Sequence, residues 1–98
     1  MKRWYTVTFN AKLDGEDVCD MKNAFYLMMA QEMLIQECTN LQIKAEDSNT
    51  QEMKRWYVVS FGAKMDEDDL RAMQSCFYLA VEKTLFIKEC TELQIKAI

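Results

Sequence analysis

Apolar and polar residues alternate along WYTVTF, residues 4–9, and again along WYVVSF, residues 56–61. Both runs are rich in aromatic and β-branched side chains, which suit the pleated, half-buried surface of a strand. Each leads into an acidic turn, KLDGEDV or KMDEDDL. Asp14 and Asp66 stand there where a helix N-cap belongs, with Asp17 and Asp69 three residues on. The apolar spacing then changes to three and four. Val18, Met21, Phe25 and Met28 define one helical face, and Leu70, Met73, Phe77 and Ala80 define another. Alternation returns in NLQIKA and ELQIKA, which read as strands. LIQEC and FIKEC, between helix and strand, fit the end of one or the start of the other.

The two halves of this pattern are copies. Residues 1–45 align without a gap on residues 53–97, with 24 of 45 positions identical, and MKRWY opens both. The chain therefore reads as one domain, 1–98: unit one at 1–45, a polar connector EDSNTQE at 46–52, and unit two at 53–97. One strand–helix–strand unit alone has little core. Two together predict an α+β, ferredoxin-like βαββαβ sandwich: a four-stranded antiparallel sheet, both helices on one face, built from a tandem βαβ duplication. Right-handed crossovers give the spatial order 4-1-3-2. An exchanged dimer, each unit completing its sheet with a second chain, is the alternative. The resemblance to ferredoxin-like proteins is one of topology, and topology does not fix function.

Alternation also divides the side chains of the sheet. Tyr5, Val7 and Phe9, with Tyr57, Val59 and Phe61, point to the helices, as do Leu41, Ile43, Leu93 and Ile95. The opposite face carries Lys2, Trp4, Thr6, Gln42, Lys44, Lys54, Trp56, Val58, Gln94 and Lys96. These ten residues are the candidate binding face, aromatic and basic in a chain whose net charge is −4. Whether Trp4 and Trp56 make one patch or two depends on where the pseudo-two-fold axis crosses the strands.

Three readings compete for that face. Lysine stems lying over the indoles would need no partner. A protein contact, to another protein or to a second copy, would use tryptophan as a hot spot. Nucleic acid would stack on Trp4 and Trp56, as it does on the central strands of RNA-recognition domains, which share the βαββαβ order. RWYVVSFG lacks their signature, and the acidic net charge disfavours the idea.

Catalytic chemistry has little to stand on in the sequence. The chain has no His, the commonest general base and metal ligand. Its four cysteines, 19, 38, 76 and 90, form no CxxC pair and read as free, mostly buried thiols in a reducing compartment. DEDD at 66–69 reads as helix capping, and the two glycines, at 15 and 62, fall in no phosphate-cradling motif. The methionines at 21, 28, 29 and 33 read as core filling. Tyr26 and Tyr78 lie about 100° around the helix from the main apolar stripe, either flanking the core or marking a second surface.

The sequence thus predicts a cytoplasmic, non-enzymatic protein without catalytic residues, metal or cofactor. It would act by protein–protein contact or self-association through the Trp4 and Trp56 face, with a homodimer or a protein partner and no membrane. RNA-recognition-like binding and a small acidic inhibitor of phage or mobile-element type are the alternatives, and a metabolite sensor is a further class.

Overall fold

The computed structural model describes residues 1–46 and 53–98. The element order is β1 (Arg3–Leu13), α1 (Gly15–Glu32), β2 (Cys38–Ala45), β3 (Arg55–Met65), α2 (Glu67–Leu85) and β4 (Cys90–Ala97). The strands form one antiparallel sheet in the order β2-β3-β1-β4, the predicted order read from the other edge. The fold is ferredoxin-like α+β, and both units share one core. The connector proposed for 46–52 lies outside the described residues, apart from Glu46.

Both helices begin as their sequences dictate. Asp14 accepts from the Asp17 N–H at 2.8 Å, and the Asp17 carboxylate accepts from the Asp14 N–H at 3.1 Å. Asp66 and Asp69 repeat this reciprocal box at 2.9 and 3.1 Å. Two orphan N–H groups are thereby satisfied at each helix start. In LIQEC and FIKEC the first four residues are neither helix nor strand, and the cysteines, Cys38 and Cys90, begin β2 and β4. The helices stop before Met33 and Phe86, and Leu34 and Phe86 take left-handed φ values of 58° and 59°. That turn drops Ile35 and Ile87 into the core, 1% and 2% exposed.

The centre strands pair in a register that fixes the pseudo-symmetry. Thr8 faces Ser60, its own equivalent in the other unit, so the two-fold axis passes there. Directly behind it four phenylalanines form the heart of the core. Phe9 meets Phe77 edge-on at 4.9 Å, and Phe61 meets Phe25 edge-on at 4.8 Å, an arrangement favoured by the aromatic quadrupole. Met21, Met28, Met29 and Met33 are buried around them, as the methionine pattern predicts. Val18 and Leu70 are only partly buried, at the rim.

The edge strands break the ladder in the same place. Between Thr91 and Gln94 of β4 stand two residues, Glu92 and Leu93, where β1 has only Phe9. Between Thr39 and Gln42 of β2 stand Asn40 and Leu41, where β3 has only Phe61. These are β-bulges, and their first residues, Asn40 and Glu92, both have φ 58°, the left-handed geometry that a bulge of this kind demands. Each bulge frees a backbone N–H. The Tyr26 hydroxyl accepts from Leu41 N–H at 2.9 Å, and the Tyr78 hydroxyl accepts from Leu93 N–H at 2.9 Å. That is the role of the paired tyrosines.

Candidate functional site

Beneath the sheet, opposite the helices, lies the face read from the alternation. Cross-strand pairs share a face, so the register arranges this one in rows. Gln42, Ser60, Thr8 and Gln94 cross the sheet at the two-fold axis. On one side of that row lie Thr39, Gly62, Thr6 and Lys96; on the other lie their equivalents Thr91, Asn10, Val58 and Lys44. Trp4 pairs with Lys64 beyond the first of these rows, and Trp56 with Lys12 beyond the second.

The tryptophans therefore form two places. Trp56 stands opposite Lys12, eight residues along β1 from Trp4, on the order of 26 Å at about 3.3 Å per residue. Trp4 is exposed and Trp56 is partly covered. Thr6, Gln42, Lys44, Gln94 and Lys96 lie on the face and are exposed, and Val58 is half-buried there. Two expected members stand apart from it. Lys2 precedes β1 and reaches Asp69 at the start of α2, 3.8 Å away; Lys54 precedes β3 and is exposed. The physical reason is where the strands begin and end: β1 and β3 start at Arg3 and Arg55, just after Lys2 and Lys54, and run to Leu13 and Met65, past the expected ends at Phe9 and Phe61. The lysines opposite the tryptophans are consequently Lys64 and Lys12. The alternation of Asn10, Ala11, Lys12, Leu13 and of Gly62, Ala63, Lys64, Met65 is the signal for this extension.

The rows are not equivalent at one position. In unit one, Asn10 donates through Nδ2 to the Glu92 carboxylate, covering the bulge of β4. In unit two the matching residue is Gly62, and the matching bulge residue is Asn40. A recess of about 210 Å³ opens there, reaching from Asn40 and Thr39 across Gly62 to Thr6, Trp4 and Ile98. Gln42 and Ser60 close its near end. A Cβ at Gly62 would stand 3.1 Å from Thr39 Oγ1, so even one methyl group would crowd the floor and press on the Thr39 side chain. The duplicated text signals the recess: FNAK in unit one has become FGAK in unit two.

Other chemistry is quieter. A larger trough of about 530 Å³ lies between Arg3, Tyr5 and Asp66–Asp68, but its acids serve the α2 N-terminus. Backbone hydrogen bonds, that from Asp69 first, hold the Asp66 carboxyl below its ordinary range. The thiols differ from expectation: Cys19 and Cys76 are exposed, and Cys38 and Cys90 are half-buried, because the first two fall on outward helix positions. Burial pushes Cys38 up to about 11. Cys90 also rises to about 11, from burial first and the Glu82 charge second. Neither is a thiolate near neutral pH. Among the described residues no helix is long and apolar enough to cross a membrane.

No family model matches the chain, and no curated protein matches it. Among solved structures it is similar to a Nitrosomonas europaea protein described as "Putative antibiotic biosynthesis monooxygenase", with a TM-score of 0.50 and 14% identity over 100% of this chain and 92% of that one. At that identity the likeness shows the shared fold. It also corrects the expectation of a non-enzymatic binding protein and the exclusion of an enzyme. Both rested on missing histidine and nucleophile motifs, and the same frame carries a protein described as a monooxygenase. The contact, nucleic-acid and inhibitor roles lose that premise.

Proposed function

We propose that the chain is a small-molecule enzyme of the monooxygenase class, with its substrate seated in the Gly62 recess of the open sheet face. The observation that carries this reading is the break in symmetry. Where Asn10 and Glu92 close one half of the face, Gly62 leaves the other half hollow. A pit lined by an indole and by uncharged hydrogen-bonding groups is the chemistry of a small-molecule site. The Nitrosomonas protein suggests the reaction class.

Monooxygenation places one atom of O2 in the product and the other in water. An activated methylene balances this alone: CH2 and O2 give C=O and H2O, the methylene supplying all the electrons and both protons. The chain's own residues would bind and orient such a substrate. Trp4 offers a flat platform. The hydroxyls of Thr6, Thr39 and Ser60 and the amide of Gln42 can donate to the enolate oxygen that forms when the methylene loses a proton. Four free thiols suit a reducing, cytoplasmic setting.

Oxygen uptake by the full chain, offered planar aromatic ketones with an activated methylene, tests the reading. One labelled oxygen atom should enter the product. Gly62→Val should lower the rate at least about tenfold while the circular dichroism spectrum stays unchanged. A folded protein that consumes no oxygen across the panel overturns the proposal.

A further inference from the structure

We infer that the recess takes a planar aromatic carboxylate, its ring on Trp4 and its charge between Lys64 and Lys96. The inference rests on the recess being the substrate site and names the class of ligand. Trp4 stands at the end of the recess, 38% exposed, with its indole facing no aromatic neighbour within the described residues. Lys64 is its direct cross-strand partner, and Lys96 is the partner of Thr6, two residues further along β1. The two cations thus flank the ring platform on either side of β1. Neither enters an ion pair among the described residues.

The lining selects as well as attracts. Thr39, Thr6 and Ser60 are uncharged, and the Glu92 carboxylate, at the bulge of β4, belongs to the other half, where Asn10 holds it. Lys64 and Lys96 stand beside the recess and outside its lining, which holds hydroxyl and amide groups and no charged side chain. Lys64 also lines a neighbouring trough with Glu37. An anion at the Trp4 end of the recess lies next to both lysines by strand register. In the equivalent place near Trp56 it would meet Glu92, and Asn10 would occupy its room. The chain therefore has one such site, although it has two tryptophans in equivalent positions. Gly62 sets the depth: it lets a ring approach the strand backbone, which any side chain would prevent.

Nitrogen–proton correlation spectra of the full chain, titrated with 2-naphthoate without oxygen, test this. The two indole N–H signals are separate reporters, assigned through Trp4→Phe and Trp56→Phe. The Trp4 signal should shift saturably while that of Trp56 stays still. Lys64→Gln with Lys96→Gln should weaken 2-naphthoate roughly tenfold and leave methyl 2-naphthoate, the uncharged ester, unchanged. Gly62→Ala should abolish the shift. Its φ is not positive, and the tight contact an added Cβ would make, 3.1 Å, is with the Thr39 side chain; an unmoved Trp56 signal checks that the fold is retained. Equal binding of acid and ester, or an equal shift of both indoles, overturns the inference. Saturable binding with no oxygen uptake on any substrate overturns the enzymatic reading and leaves the ligand class standing.

Discussion

Tyr26 and Tyr78 show how much a single side chain can settle. Each occupies a helix position about 100° from the core stripe, where its ring would otherwise serve nothing. Each instead carries its hydroxyl to the one N–H that a bulge leaves without a strand partner. Because the bonds lie at exposed edges, water can replace part of what is lost. Tyr26→Phe and Tyr78→Phe should each cost about 0.5–1 kcal/mol, read as a lower urea midpoint with an unchanged slope. Amide exchange at Leu41 or Leu93 should accelerate in the matching variant alone. An unaltered exchange rate there would mean that the hydroxyl does not hold the bulge. Neither bulge was legible beforehand. NLQIKA and ELQIKA alternate cleanly; Asn40 is of a type that tolerates the left-handed region, but its equivalent Glu92 is not, and neither announces it as glycine would. The same holds for Leu34 and Phe86, apolar residues in a conformation that local sequence disfavours by about 1–2 kcal/mol. They are held there because Ile35 and Ile87 must enter the core.

Among the elements, the helices were the most legible. Their apolar spacing, their acids and their caps agree, and the structure reproduces all three. Asp66 gives this a pH dependence. Its carboxyl is held below its ordinary 3.8, first by the Asp69 N–H, which outweighs an opposing effect of desolvation, with the Lys2 charge adding to the lowering. A carboxyl depressed on folding adds stability above its unfolded pKa and loses it as pH falls through the folded value. The urea midpoint should therefore decline as pH drops from the ordinary carboxylate range to below it, and the decline should be shallower in Asp66→Ala. Equal slopes would show that the cap is not ionised. The strands were legible in kind and short in length. Extending the alternation back before Arg3 and Arg55 places Lys2 and Lys54 on the face, and ending the strands at Phe9 and Phe61 misses Lys12 and Lys64. The alternation continues for four more residues, but Asn10 and Gly62 are poor strand formers and hide it.

For the molecule as a whole, duplication made the fold readable and also concealed the site. Identity between the units predicted the sheet order and the two-fold axis, whereas the recess arises where the units differ, at Gly62 against Asn10. The register also separates Trp4 from Trp56, so they should act independently. The costs of Trp4→Ala and Trp56→Ala should add within about 0.5 kcal/mol in the double variant, measured by urea unfolding. A larger deviation would mean that the two ends of the face communicate. The pairing of Thr8 with Ser60 has a consequence for ancestry. In an assembly of two identical half-length chains, that strand would pair with its own copy, and every substitution would be made twice. A hollow at position 10 would appear on both sides, or an Asn–Glu plug would close both. Joining the copies in one polypeptide allowed them to diverge, so that one side became a lid and the other a cup.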